Sequence, residues 1–242
     1  YHGKPSDKKG VISNTHGFMY RHLDTGFRTK WDGFWVPPYK FLDYFSFQVN
    51  GIHLNGDTLS GVEYGEEMVF HHDIGTLEIA ERITAPDGFP GIKTELEIKN
   101  VSESRKAVQT VLETGIDIRS KDEDIETEPY NAERDSERII TSRKGKKLVI
   151  DPEEVSGFKG ERYEKEHFPG ERQVCMIPEK PVFRKEIDAG DTATVKVDFK
   201  TSEGAFREIE SPENDLQHEL GRAFASSLES LENLVYSRNG TG

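Results

Sequence analysis

Trp31, Trp35 and Tyr39 recur at intervals of four in KWDGFWVPPYK. Flat aromatic rings are what sugars stack on: the apolar face of a pyranose lies against the ring, and polar neighbours such as Asp32 and Lys40 can reach its hydroxyls. We take these three aromatics as the carbohydrate-binding candidates. The competing use of the same rings is sandwich core or a domain interface. In a strand Trp31 and Trp35 would face one side, unless Gly33 kinks the chain between them.

The other residues able to do chemistry point less far. His71-His72-Asp73 and the scattered His2, His16, His22 and His53 lack the spacing that converges ligands on a metal, and His71 and His72 would point to opposite faces of a strand. No metal site is expected. The acidic run Asp122, Glu123, Asp124, Glu126 and Glu128 lacks the glycine and the residue order of a calcium loop and reads as a solvated loop. With 45 acidic residues, any pair of carboxylates could be recruited for glycoside cleavage, so none is singled out and no catalytic residue is assigned. There is no nucleophile elbow, P-loop or dinucleotide fingerprint, so no cofactor is expected.

The totals narrow the partners. A formal net charge of −13 disfavours nucleic acid and anionic membranes, both of which call for a basic face, and suits a neutral ligand. No run approaches the roughly 18 apolar residues of a membrane span. The single cysteine, Cys175, sits in the apolar run VCMI and reads as a buried, inert thiol. A chain of 242 residues without a disulfide fits a reducing cytoplasm. No signal peptide is visible.

The elements that must position the aromatics are strands. Ile92, Thr94, Leu96 and Ile98 alternate with Lys93, Glu95, Glu97 and Lys99, giving one dry and one wet face. Leu77, Ile79 and Ile83 do the same upstream, with Glu81 breaking the pattern. APDGFPG between them reverses the chain, so residues 76–100 form an antiparallel hairpin. Tyr44, Ser46 and Gln48 alternate with Phe45, Phe47 and Val49, and Asn50-Gly51 turns that strand back through Ile52 and Leu54. Val108 through Ile118 keeps one apolar face over a long strand. Residues 119–136 read as a charged, strand-poor insertion. With SERIITSR, KKLVI, RQVCMI, VFRKEI and ATVKVDF the count is roughly a dozen strands, which indicates a large antiparallel sandwich. From Ser211 the pattern changes. Ser211, Pro212 and Glu213 are helix-start residues, and Leu216, Leu220, Phe224, Leu228, Leu231 and Val235 form the stripe of an amphipathic helix of about six turns. The expected fold is mainly β: a β-supersandwich over residues 1–210, then a C-terminal amphipathic helix over 211–242.

ISNTHGFMYRHLDTGFRTKWDGFWV, FLDYFSFQVNGIHLNG and the LEIAERITAPDGFPGIKTELEIKN hairpin together resemble the N-terminal domain of bacterial and archaeal glycogen debranching enzymes (amylo-alpha-1,6-glucosidases, related to glucoamylases). The resemblance covers about the first 120 residues. It departs at Thr29–Gly33, where Trp31 and Asp32 stand in place of the Tyr and His usual in the family. It implies that residues 211–242 link the sandwich to an (α/α)6 barrel that carries the catalytic carboxylates and is missing here, an expectation the SRNGTG ending and the Tyr1 start share. It also implies a cytoplasmic, non-catalytic domain that packs on its own catalytic domain and contacts an alpha-glucan or oligosaccharide. Two other functions fit the residues: a freestanding carbohydrate-binding module, and a sandwich enzyme of the mutarotase or lyase type.

Overall fold

In the computed structural model, residues 8–120, 129–168 and 173–202 are described. They form eighteen strands: β1 (Lys9–Ser13), β2 (Phe18–His22), β3 (Gly33–Val36), β4 (Tyr39–Val49), β5 (Ile52–His53), β6 (Leu59–Tyr64), β7 (Met68–Asp73), β8 (Leu77–Thr84), β9 (Gly91–Asn100), β10 (Lys106–Ser120), β11 (Asn131–Asp135), β12 (Arg138–Arg143), β13 (Lys146–Pro152), β14 (Gly157–Lys159), β15 (Tyr163–Phe168), β16 (Gln173–Ile177), β17 (Lys180–Ile187) and β18 (Thr192–Thr201). Every pairing is antiparallel. None of the described residues forms a helix long and apolar enough to cross a membrane. The helix expected over 211–242 lies outside the described residues.

The strands make two sheets that pack as a β-sandwich. One has ten strands along the path β1-β2-β3-β4-β10-β16-β15, with β5 beside β4, β17 beside β10 and β14 beside β17. The other has eight, in the order β11-β12-β13-β18-β9-β8-β7-β6. The hairpin read over 76–100 is β8 and β9, paired from Leu77↔Asn100 to Thr84↔Lys93. Its apolar residues Ile79, Ile83, Ile92, Leu96 and Ile98 are buried, as alternation requires when only one face is dry. Val108, Thr110, Leu112, Thr114, Ile116 and Ile118 of β10 are likewise buried. Phe45 from the ten-stranded sheet meets Phe199 from the eight-stranded one at 5.4 Å between ring centroids, so the aromatic-rich core lies between the sheets.

Glu81, the residue that breaks the pattern of β8, sits on the dry face. Arg21 of β2 reaches it from the opposite sheet, with Nη1 donating to Oε1 at 2.6 Å and Nη2 to Oε2 at 3.4 Å. Both side chains are 1% exposed. The guanidinium lies over the rings of Phe27, Phe45 and Phe70 at 5.0, 4.9 and 4.6 Å. His72 Nε2 stands 3.7 Å from the same carboxylate. Burial pushes the Glu81 carboxyl up, but Arg21 and His72 outweigh it and hold it below the usual carboxylate range.

The reading of 119–136 as strand-poor needs correction. β10 runs on to Ser120, and β11 occupies Asn131–Asp135. β11 pairs only with β12 at the rim of its sheet, so its residues stay mostly in water. An edge strand of that kind carries charge rather than alternation, which hides it from a search for apolar periodicity.

Candidate functional site

The outer face of the ten-stranded sheet carries the candidate site. Residues Asp24–Asp32 connect β2 to β3. Asp32 ties the connecting segment into a turn: it is fully buried and accepts from the backbone N–H groups of Arg28 and Thr29 and from the Thr29 hydroxyl. Asp32 is thus a turn-forming residue, not a contact for hydroxyls of a ligand.

Trp31 ends this segment and Trp35 lies in β3. The structure brings them together: their rings stack at 5.8 Å between centroids and 27° between planes. The Trp35 indole N–H donates to the Trp31 carbonyl at 2.9 Å. Phe18 continues the stack beyond Trp35 at 6.4 Å and 8°. Trp35 is 4% exposed and Trp31 52% exposed. The stack therefore presents one indole to solvent on a base of two further rings, the buried Trp35 and the half-buried Phe18. Tyr39 does not join it. The register pairs Trp35 with Lys40 and Val36 with Tyr39, which sets Trp35 and Tyr39 on opposite faces. Tyr39 packs against the core instead, beneath the Lys146 ammonium of β13 at 4.6 Å.

Lys40 is also buried, and it serves the segment from below. Its Nζ bonds Asp43, donates to the Lys30 carbonyl at 3.0 Å and stands 3.9 Å from Asp117. Arg119 Nε donates to Asp117 at 2.7 Å, and Arg119 Nη2 donates to the same Lys30 carbonyl at 3.3 Å. Two cations and two carboxylates thus balance in a buried patch, and both cations grip one backbone oxygen next to Trp31. Burial pushes the Asp117 carboxyl up despite Lys40 and Arg119.

Farther along β4, in the stretch between its pairings with β3 and β5, a cavity of about 450 Å³ opens, lined by Tyr44 and Ser46 from one face of the strand and by Phe45 from the other. Phe27 and Tyr44 supply aromatic walls, and Arg28, Ser46, His53 and Asp57 supply polar ones. Gly115 makes room for Tyr44: a Cβ there would lie 2.1 Å from the ring. The Tyr44 hydroxyl donates to Glu113 at 2.7 Å, and Lys180 and Lys165 reach that carboxylate at 2.5 and 3.3 Å. Burial would raise the Glu113 carboxyl, but the hydrogen bonds from Lys180 and Tyr44 prevail and hold it at about 2. Burial, then the hydrogen bond to Glu113, raises the Tyr44 phenol. Cys175 packs beside Tyr44 and Ile177, fully buried, and burial pushes its thiol up to about 12. This agrees with an inert thiol.

The sequence does not gather the cavity residues, because the loops at 24–28 and 53–57 meet only when β3 and β5 both pair with β4. The signal for Tyr44 and Ser46 was present: they alternate with the core residues Phe45 and Phe47, so they had to face outward. The histidines separate as alternation requires: His72 is buried against Thr58 and Glu81, whereas His71 faces solvent and pairs with Glu63 at 2.9 Å. Among the described residues, no three His, Cys, Asp or Glu side chains converge where a metal ion could be held.

No protein-family model matches this chain, and no curated protein does. Solved structures do. A protein of Escherichia coli K12 named as an aldose 1-epimerase aligns over 81% of this chain and 99% of its own, with a TM-score of 0.53 and 8% identity. A protein from the human microbiome named as a kojibiose phosphorylase aligns over 91% of this chain and 32% of its own, at 8% identity and a TM-score of 0.47. A protein of Synechocystis sp. PCC 6803 aligns over 83% and 98%, at 9% identity and a TM-score of 0.49. At this identity the first likeness is one of fold: the two-sheet antiparallel sandwich.

Proposed function

We propose that this chain is a carbohydrate-binding sandwich domain, the non-catalytic N-terminal part of a glycosidase of the glycogen-debranching type. Residues 1–210 are the sandwich, and residues 211–242 lead toward a catalytic (α/α)6 barrel. The observation that carries the reading is the half-exposed Trp31 indole stacked on Trp35 and Phe18. A large aromatic held flat and open, on a base that fixes its orientation, is a surface for the apolar face of a sugar ring. The net charge of −13 suits a neutral glucan. The test is retardation of the purified chain in a glycogen-containing native gel. Wild type is retarded, and Trp31→Ala migrates freely with an unchanged circular dichroism spectrum. A wild-type chain that glycogen does not retard would sink the reading, and hydrolysis of maltooligosaccharides by this chain alone would sink its non-catalytic part.

A second reading is a sugar epimerase, favoured by the fold likeness to nearly the whole of the protein named as an aldose 1-epimerase. General acid and base groups would then come from the cavity, where His53 and Asp57 stand at the wall. Polarimetry of fresh α-glucose with and without the chain decides it. Equal rates of mutarotation, with and without protein, exclude the epimerase.

A further inference from the structure

The ten-stranded sheet offers two separate places for a sugar ring, the open Trp31 indole and the Phe27–Tyr44 cavity beside β4, and one segment joins them. Residues 24–28 line the cavity, and Trp31 lies three residues on. The strand beneath runs the same course: Tyr44 borders the cavity, and Lys40 lies under Trp35 and grips the Lys30 carbonyl. Four residues of strand separate these points, about 13 Å at 3.3 Å per residue. The joining segment is anchored along its length. Arg21 Nε donates to the Thr25 carbonyl at 3.2 Å, Asp32 holds the Arg28 and Thr29 amides, and Lys40 and Arg119 hold the Lys30 carbonyl. The two places are therefore held at a fixed spacing.

We propose that these two places together bind a linear, neutral oligosaccharide lengthwise, with a terminal ring in the cavity and a later ring of the same chain on Trp31. This rests on the carbohydrate-binding reading above and names the class of ligand. The cavity volume falls within the range of small-molecule sites, and its wall chemistry is that of a sugar pocket: aromatic walls for an apolar ring face, and carboxylate, hydroxyl and guanidinium groups for hydroxyls. Asp24 and Arg28 pair with each other at the cavity, so their charges cancel and favour a ligand without net charge. A single monosaccharide can occupy one place only. A chain long enough to span the interval gains the second contact without losing further rotational and translational freedom.

The experiment compares glucose, maltose and maltoheptaose against wild type, Trp31→Ala and the double variant His53→Ala/Asp57→Ala, by ligand-observed NMR and tryptophan fluorescence titration. All the altered side chains are exposed, so the variants should keep the fold, which circular dichroism checks. Wild type binds maltoheptaose about threefold to tenfold more tightly per chain end than glucose, the gain of one aromatic stack. Trp31→Ala abolishes that gain, so that maltoheptaose binds no more tightly than glucose. The cavity variant weakens both sugars. If Trp31→Ala weakens glucose and maltoheptaose by the same factor, or if chain length brings no gain, the lengthwise mode is wrong while sugar binding stands. If none of the three sugars binds, the carbohydrate-binding reading falls and takes this one with it.

Discussion

Removing one partner of the Arg21–Glu81 pair should be the most damaging small change in the sandwich. In Glu81→Leu the Arg21 guanidinium stays charged at 1% exposure, ringed by Phe27, Phe45 and Phe70 and left with the Thr25 carbonyl as an acceptor. At a charge separation of about 4 Å and an effective dielectric near 20, the lost attraction is about 4 kcal/mol. Broken buried pairs cost about 3–5 kcal/mol, which agrees. Against a total stability of about 5–15 kcal/mol this is severe, and it corresponds to a fall in Tm of about 6–20 °C for a domain of this size. Arg21→Met combined with Glu81→Leu removes both charges and refills the space with apolar volume. That double variant should return to within about 1.5 kcal/mol of wild type. Urea unfolding followed by circular dichroism on all four members of the cycle measures it. If Glu81→Leu alone loses less than about 1 kcal/mol, or if the double variant loses the sum of the two single losses, the pair is not the coupled buried unit described here.

Three further outcomes follow from the same geometry. Gly115→Ala puts a methyl group against the Tyr44 ring, so it should cost about 1–3 kcal/mol in urea unfolding and weaken glucose binding by displacing a cavity wall. Glu113 is held at about 2, below its unfolded value, so its contribution is complete above the unfolded carboxylate pKa and is lost as the pH falls toward 2. In Glu113→Gln the drop in stability between pH 5 and pH 2 should shrink by about 1–2 kcal/mol after allowance for solvent screening, and an unchanged acid profile would show that the Lys180 and Tyr44 bonds contribute nothing. Cys175, with its thiol pushed up to about 12 by burial, should resist a disulfide reagent at pH 8 in the native protein and react at once in urea.

The sandwich was legible because its strongest strands bury one face only. Alternation at Ile92–Ile98 and Val108–Ile118 placed those side chains correctly, and Asn50-Gly51 marked a turn with φ of 50° and 82° at its two residues. Glu81 was legible as an anomaly but not as half of a pair, since Arg21 is 60 residues away and on the other sheet. Trp31 and Trp35 stack although Trp31 lies in the turn before β3 and Gly33, at a φ of 111°, kinks the chain between them, so strand spacing did not decide that contact. Tyr39 could not be placed by the same rule, because the chain reverses at Pro37-Pro38 and spacing across a turn does not preserve the face. Lys40 looked like a surface cation next to the aromatics. Its burial depends on Asp43 and Asp117, which a bulge in β4 and the pairing of β4 with β10 bring together.

The attachment of Trp31 to the sheet has a consequence for how this surface could change over generations or in the hands of an engineer. Lys40 and Arg119 hold the segment by the carbonyl of residue 30, not by its side chain. Every amino acid supplies that oxygen. The identity of residue 30 can therefore vary next to the exposed indole without releasing the segment, and its side chain becomes an adjustable part on a fixed mount. Libraries randomised at position 30 should yield folded proteins with altered sugar preference far more often than libraries randomised at 40 or 119.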